Sequence, residues 1–111
     1  LPLLRPSAVE SPAYQIYNQY VIRVPESIRD DLRAHLVENR IGHDVYYPVP
    51  LHCQKCFSGL KEETGPLPAT ELAARETIAI PVYPELSMEQ KQHVVETIVS
   101  YVRSHATVGT V

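Results

Sequence analysis

The chain has 111 residues, 44% of them hydrophobic and 21% charged, with 10 basic against 13 acidic side chains and a formal net charge of −3. That length suits one hydrophobic core and excludes two. The composition excludes a disordered chain, and the charge leaves no cationic surface of the kind nucleic acid selects. No apolar run approaches the roughly 18 residues of a membrane span. The apolar patch in residues 1–6 is short and broken by Pro2 and Pro6, unlike a signal peptide, so no membrane partner and a cytoplasmic location are expected. The first residue is Leu1 rather than Met, which leads to the expectation that a longer gene product extends upstream.

Pro2, Pro6 and Pro12 keep the opening stretch irregular, and residues 1–14 are expected to form a leader or linker. Residues 16–24, rich in Tyr, Val and Ile and closed by Pro25, predict a strand. Ile28, Leu32 and Leu36 recur every four residues and predict a helix over 27–40. Ser27 is its expected N-cap, with Asn39 or Gly42 as the left-handed stop. A second strand is expected at 44–47. Pro48 and Pro50 then forbid helix and remove two backbone donors, so the chain should run on as a stiff extended loop. A short helix at 53–58 and a helix at 70–77 capped by Thr70 follow. Residues 78–82 predict a third strand. Ser87 and Gln90 are spaced as a capping box for a helix over 87–104. Its buried stripe is read as Met88, Val95, Ile98 and Val102, with Lys91 on the same spacing. Residues 106–111 read as a flexible tail. The order β-α-β-loop-α-β-α predicts an α+β fold: a three-stranded, partly antiparallel sheet covered by helices.

Motifs that carry chemistry are sparse. No Gly-rich phosphate loop and no nucleophile elbow are present. The lysines are Lys55, Lys61 and Lys91, and none sits in a stretch that would desolvate and activate it. Glu62-Glu63 and Asp30-Asp31 read as solvated surface. Cys53 and Cys56 flank Gln54-Lys55, but no second ligand pair accompanies them. His52, adjacent to Cys53 in sequence, reads as poorly placed for the same metal. Two free thiols with no metal are therefore expected. The informative segment is Tyr46-Tyr47-Pro48-Val49-Pro50-Leu51-His52. Two phenols and an imidazole flank a proline-stiffened loop after a strand. Such groups can donate to anionic oxygens or pack on a flat group with little ordering entropy.

Four segments in order carry a family resemblance. They are Tyr17-Asn18-Gln19-Tyr20-Val21-Ile22-Arg23, then Arg29-Asp30-Asp31-Leu32-Arg33-Ala34-His35-Leu36. The third runs from Ile41-Gly42 to Tyr47-Pro48-Val49-Pro50-Leu51-His52-Cys53-Gln54, and the last is Ile80-Pro81-Val82-Tyr83-Pro84-Glu85-Leu86-Ser87 with Gln90 and Val94. From about Ile16 to Arg103 the chain resembles the C-terminal part of the DegT/DnrJ/EryC1/StrS sugar aminotransferases, which are fold type I enzymes using pyridoxal phosphate (PLP). The resemblance implies a small C-terminal domain at 15–105. It also implies a cytoplasmic, homodimeric parent enzyme of cell-surface polysaccharide biosynthesis. That parent moves an amino group from an amino-acid donor, glutamate, to a keto-sugar nucleotide.

The family's lysine, phosphate site and pyridinium partner belong to its large domain. The resemblance therefore implies no catalytic residue in this chain and no PLP bound to it alone. Tyr47 and His52, with Tyr46 beside them, are implied as substrate-binding positions in the wall facing the nucleotide-sugar. The family often has His where this chain has Tyr46, and again where it has Asn18. Each change removes an imidazole, although Tyr46 keeps a hydroxyl donor. Two other readings stay open: a free-standing, non-catalytic binding or interaction domain descended from such an enzyme, and a piece of a PLP-dependent sugar dehydratase.

Overall fold

The computed structural model describes residues 14–60, 63 and 65–105. All of the expected leader except Tyr14, the expected tail at 106–111, and Lys61 and Glu62 lie outside the described residues. Strand β1 is Tyr20–Arg23 and helix α1 is Glu26–Glu38. Two 3-10 turns follow at Leu51–Cys53 and Lys55–Leu60. Helix α2 is Pro68–Glu76, strand β2 is Thr77–Ile80 and helix α3 is Met88–His105.

The strands pair antiparallel, with Ile22 opposite Ile78 and Val21 opposite Ala79. Pleating sends Ile22 and Ile78 to the same face, where Leu32 and Leu36 of α1 and Val94, Ile98 and Val102 of α3 meet them. The helices thus cover one face of the sheet, and this apolar layer is the core. Leu32, Leu36, Ile78 and Val102 are fully buried. Arg23 of β1 pairs with Glu76 at the end of α2.

The sheet corrects the sequence reading. Among the described residues it has two strands, and the expected strand at 44–47 shrinks to one bridge, Asp44 to Ala79. The bridge is closed in both directions, Asp44 N–H to Ala79 O at 3.1 Å and Ala79 N–H to Asp44 O at 2.7 Å. Pairing goes no further because the Val45 N–H turns to the Asp44 carboxylate at 2.8 Å. Pro48 and Pro50 then have no N–H to offer a ladder. β1 also starts later than expected: Tyr17 sits at φ 50, in the left-handed region, which interrupts the extended run.

The helix ends differ from expectation in informative ways. Ser27 does not cap α1; the N-cap is Pro25, with no side-chain hydrogen bond. At the other end Arg40, not Asn39 or Gly42, takes the left-handed conformation at φ 57. Arg40 N–H bonds Val37 O at 3.0 Å and Ile41 N–H bonds Leu36 O at 2.9 Å, the double bond of a Schellman stop. That turn buries Ile41 in the same cluster as Leu36. α2 begins two residues before Thr70, with Pro68 in its first turn, where a missing N–H is harmless. The expected helix at 53–58 forms as tighter 3-10 turns instead. The Ser87–Gln90 box forms in both directions, Ser87 N–H to Gln90 Oε1 at 2.9 Å and Gln90 N–H to Ser87 Oγ at 3.2 Å. The buried stripe of α3 is shifted: Val94, Thr97, Ile98 and Val102 face the core, whereas Met88 and Val95 are exposed.

Candidate functional site

The loop leaving Asp44 reaches α2 where His52 meets Glu71. Val45 is buried and anchors it, and the next residues, Tyr46 and Tyr47, turn outward and are exposed. The peptide between the two tyrosines is cis. Beyond Pro50 the chain closes a 3-10 turn, Cys53 N–H to Pro50 O at 2.8 Å and Gln54 N–H to Leu51 O at 3.1 Å. This turn carries His52 back toward α2.

Tyr46, Tyr47 and His52, widely different in burial, line one depression of about 390 Å³. Its floor is apolar, from Leu67, Ala73 and Ala74, with Thr70 and Thr77 at its side. The structure therefore brings the three residues picked out by sequence to one place. Two phenols and an imidazole around an apolar floor can hold a flat or sugar-like group through ring contact and a few directed hydrogen bonds.

His52 is not a surface side chain. Only 9% of it is exposed, and its Nε2 lies 3.0 Å from Glu71 Oε1 on α2. The same carboxylate oxygen accepts the Leu67 backbone N–H at 3.3 Å, so Glu71 also ties down the start of its own helix. The hydrogen bond from His52, together with that from Leu67, holds the Glu71 carboxyl below the usual carboxylate range. Glu71 escapes sequence reasoning because it lies 19 residues from His52, and its spacing reads as an ordinary solvated helix position.

A larger groove of about 560 Å³ lies on the other side of Tyr46, which lines both. Asn18, Arg40, His43, Asp44, Gln90 and His93 are among its polar lining. Both histidines are engaged by backbone carbonyls, His43 Nδ1 at 3.2 Å from Ile41 O and His93 Nε2 at 3.1 Å from Asn39 O. A carbonyl only accepts, so those ring nitrogens carry the proton.

Cys53 and Cys56 are free and exposed. The sequence argument that His52 and Cys53 are poorly placed for one metal needs correction. His52, Cys53 and Glu71 offer ligand atoms all within 4.8 Å of one another. The nitrogen and the carboxylate oxygen of that group are already hydrogen-bonded to each other.

The chain matches the family model described as the DegT/DnrJ/EryC1/StrS aminotransferase family over residues 3–99. It belongs to that family. It is 46% identical over 93 residues to a "Pleiotropic regulatory protein" of Geobacillus stearothermophilus, covering 84% of this chain and 24% of that protein. It is 29% identical to the dTDP-3-amino-3,6-dideoxy-alpha-D-galactopyranose transaminase of Aneurinibacillus thermoaerophilus, covering 90% of this chain and 26% of that enzyme. Among solved structures, DesV of S. venezuelae in complex with a ketimine intermediate superposes with a TM-score of 0.81 at 26% identity, over 91% of this chain and 26% of DesV. NtdA of Bacillus subtilis with bound cofactor PMP superposes with a TM-score of 0.79 at 26% identity, over 92% of this chain and 23% of NtdA. The chain thus spans about a quarter of the length of the relatives it matches.

Among the described residues no lysine is buried. Lys55 and Lys91 are exposed rather than set in a desolvating pocket, and Lys61 lies outside the described residues. Among the described residues no helix is long and apolar enough to cross a membrane.

Proposed function

We propose that this chain is the substrate-side, C-terminal domain of a PLP-dependent aminotransferase that moves an amino group to a keto-sugar carried on a nucleotide. Membership of the family and the sugar transaminases among its relatives support the class of reaction. The amino donor is glutamate, PLP is held by the remainder of the protein, and the working enzyme is a cytoplasmic homodimer. Residues 15–105 form the domain. Tyr46, Tyr47 and His52 contact the nucleotide-sugar, and the chain itself supplies no group that reacts.

The convergence of those three residues on one apolar-floored depression carries this reading. A neutral hydrogen bond at a phenol or imidazole contributes about 0.5–1.5 kcal/mol, and one from a phenol to a charged oxygen about 1.5–3 kcal/mol. Tyr47→Phe or His52→Ala in the full-length enzyme is therefore expected to raise the sugar-nucleotide KM roughly 3-fold to 100-fold, with the amino-donor half-reaction much less affected. Steady-state kinetics on folded variants checks this. Unchanged sugar-nucleotide kinetics in both would leave Tyr47 as packing and His52 as scaffold.

A further inference from the structure

Resting on the reading that His52 contacts the nucleotide-sugar, we infer that Glu71 is the positioning residue that fixes the tautomer of His52, so that its Nδ1 accepts a hydroxyl of the sugar. The Glu71 carboxylate only accepts hydrogen bonds when ionised, so the 3.0 Å contact requires the proton to sit on His52 Nε2. With the proton held on Nε2, the Nδ1 of a neutral imidazole is unprotonated and is an acceptor. An acceptor suits a sugar hydroxyl and does not suit a phosphate oxygen. This turns around the expectation from sequence that the imidazole donates to an anionic oxygen.

Three features make the arrangement firm. The imidazole is 9% exposed, which limits its rotation. The carboxylate is itself held by the Leu67 N–H at 3.3 Å. The 3-10 turn that carries His52 is closed by the Cys53 N–H to Pro50 O bond at 2.8 Å. Carboxylate-held histidines are a general means of choosing which ring nitrogen faces a ligand. A ligand group bonded to a preset nitrogen loses less orientational freedom on binding.

The test has two arms on the full-length protein. Long-range proton–nitrogen NMR of the His52 ring reads the tautomer directly. The expected result is Nε2–H alone in the native protein and a tautomer mixture in Glu71→Ala; an Nδ1–H ring in the native protein overturns the inference. The second arm is sugar-nucleotide kinetics of Glu71→Ala, Glu71→Gln, His52→Ala and the Glu71→Ala/His52→Ala double variant. Losing one preset hydrogen bond should raise KM roughly 2-fold to 12-fold in Glu71→Ala. Glu71→Gln, whose amide oxygen still accepts, should recover part of it, and the double variant should be no worse than His52→Ala. Multiplicative effects in the double variant overturn the inference while the substrate contact stands. A native kinetic profile in His52→Ala overturns the contact itself, whatever the tautomer. Free nucleoside diphosphate, used as a competitive inhibitor, separates the two kinds of contact. An inhibition constant unchanged by His52→Ala supports a sugar hydroxyl, and one weakened alongside KM overturns it in favour of phosphate.

Discussion

At the residue scale two positions hold conformations or charges that their sequence neighbourhood does not announce. Arg40 occupies the left-handed region at φ 57, which costs a residue with a Cβ about 1–2 kcal/mol. The Schellman hydrogen bonds and the burial of Ile41 hold it there. Glycine takes the same conformation without that strain but gives the unfolded chain more freedom. Arg40→Gly should therefore stabilise the fold by about 0.5–1 kcal/mol, visible as a higher denaturation midpoint at unchanged slope. Glu71 is the second position. Its folded-state pKa is depressed by its bonds from His52 and Leu67, so its contribution is complete above the unfolded value of about 4.3. That contribution disappears as the pH falls through the depressed folded value. The stability advantage of the native chain over Glu71→Gln should accordingly shrink on acidification below about pH 4.3. Denaturant titrations at several pH values measure it. A gap that widens on acidification would refute the assignment.

At the scale of elements, α3 is the best specified. Its capping box satisfies two orphan N–H groups reciprocally, so the helix starts at one defined residue. Ser87→Ala removes the side-chain oxygen that accepts the Gln90 N–H and should cost about 0.5–2 kcal/mol. Thermal unfolding of the variant checks this figure. Ser87→Asp should restore most of the loss, since a carboxylate caps equally well and suits the positive end of the helix. By contrast α1 starts on Pro25 without any side-chain cap. Its position is set by the burial of Leu32 and Leu36 and by the Schellman turn at its end.

For the molecule as a whole, the lysines decide what the chain can do alone. Lys55 and Lys91 are exposed among the described residues, and no Gly-rich phosphate loop occurs in the sequence. Mixed with PLP, the purified 111-residue chain should therefore show no visible absorption band that survives dialysis, and it should not transaminate. A lasting band abolished by replacing Lys55, Lys61 or Lys91 would refute this. The chain spans only 24% of its Geobacillus relative, and its exposed Tyr46, Tyr47, Val49, Leu51 and Phe57 crowd one loop. That concentration of apolar surface beside the site is what the proposed role as one domain of a larger enzyme requires.

Local chemistry determined what could be read from the sequence. The α1 stripe follows from Ile28, Leu32 and Leu36 at helical spacing, and the α3 start follows from a serine three residues before a glutamine. The two β-rich runs that pair, and the proline-stiffened Tyr46–His52 loop with its family resemblance, were legible in the same way. Each of these rests on residues within a few positions of one another, where steric and hydrogen-bonding rules act directly. Only the tertiary structure decided the rest. Asp44 meets the sheet at a single bridge because its neighbour's N–H is taken by a side chain. The stripe of α3 turns to bury Val94 and Thr97 rather than Met88 and Val95, because the faces of α1 and the sheet settle which side is dry. Glu71 reaches His52 across 19 residues, a contact set by how α2 packs beside the loop and not by any spacing along the chain.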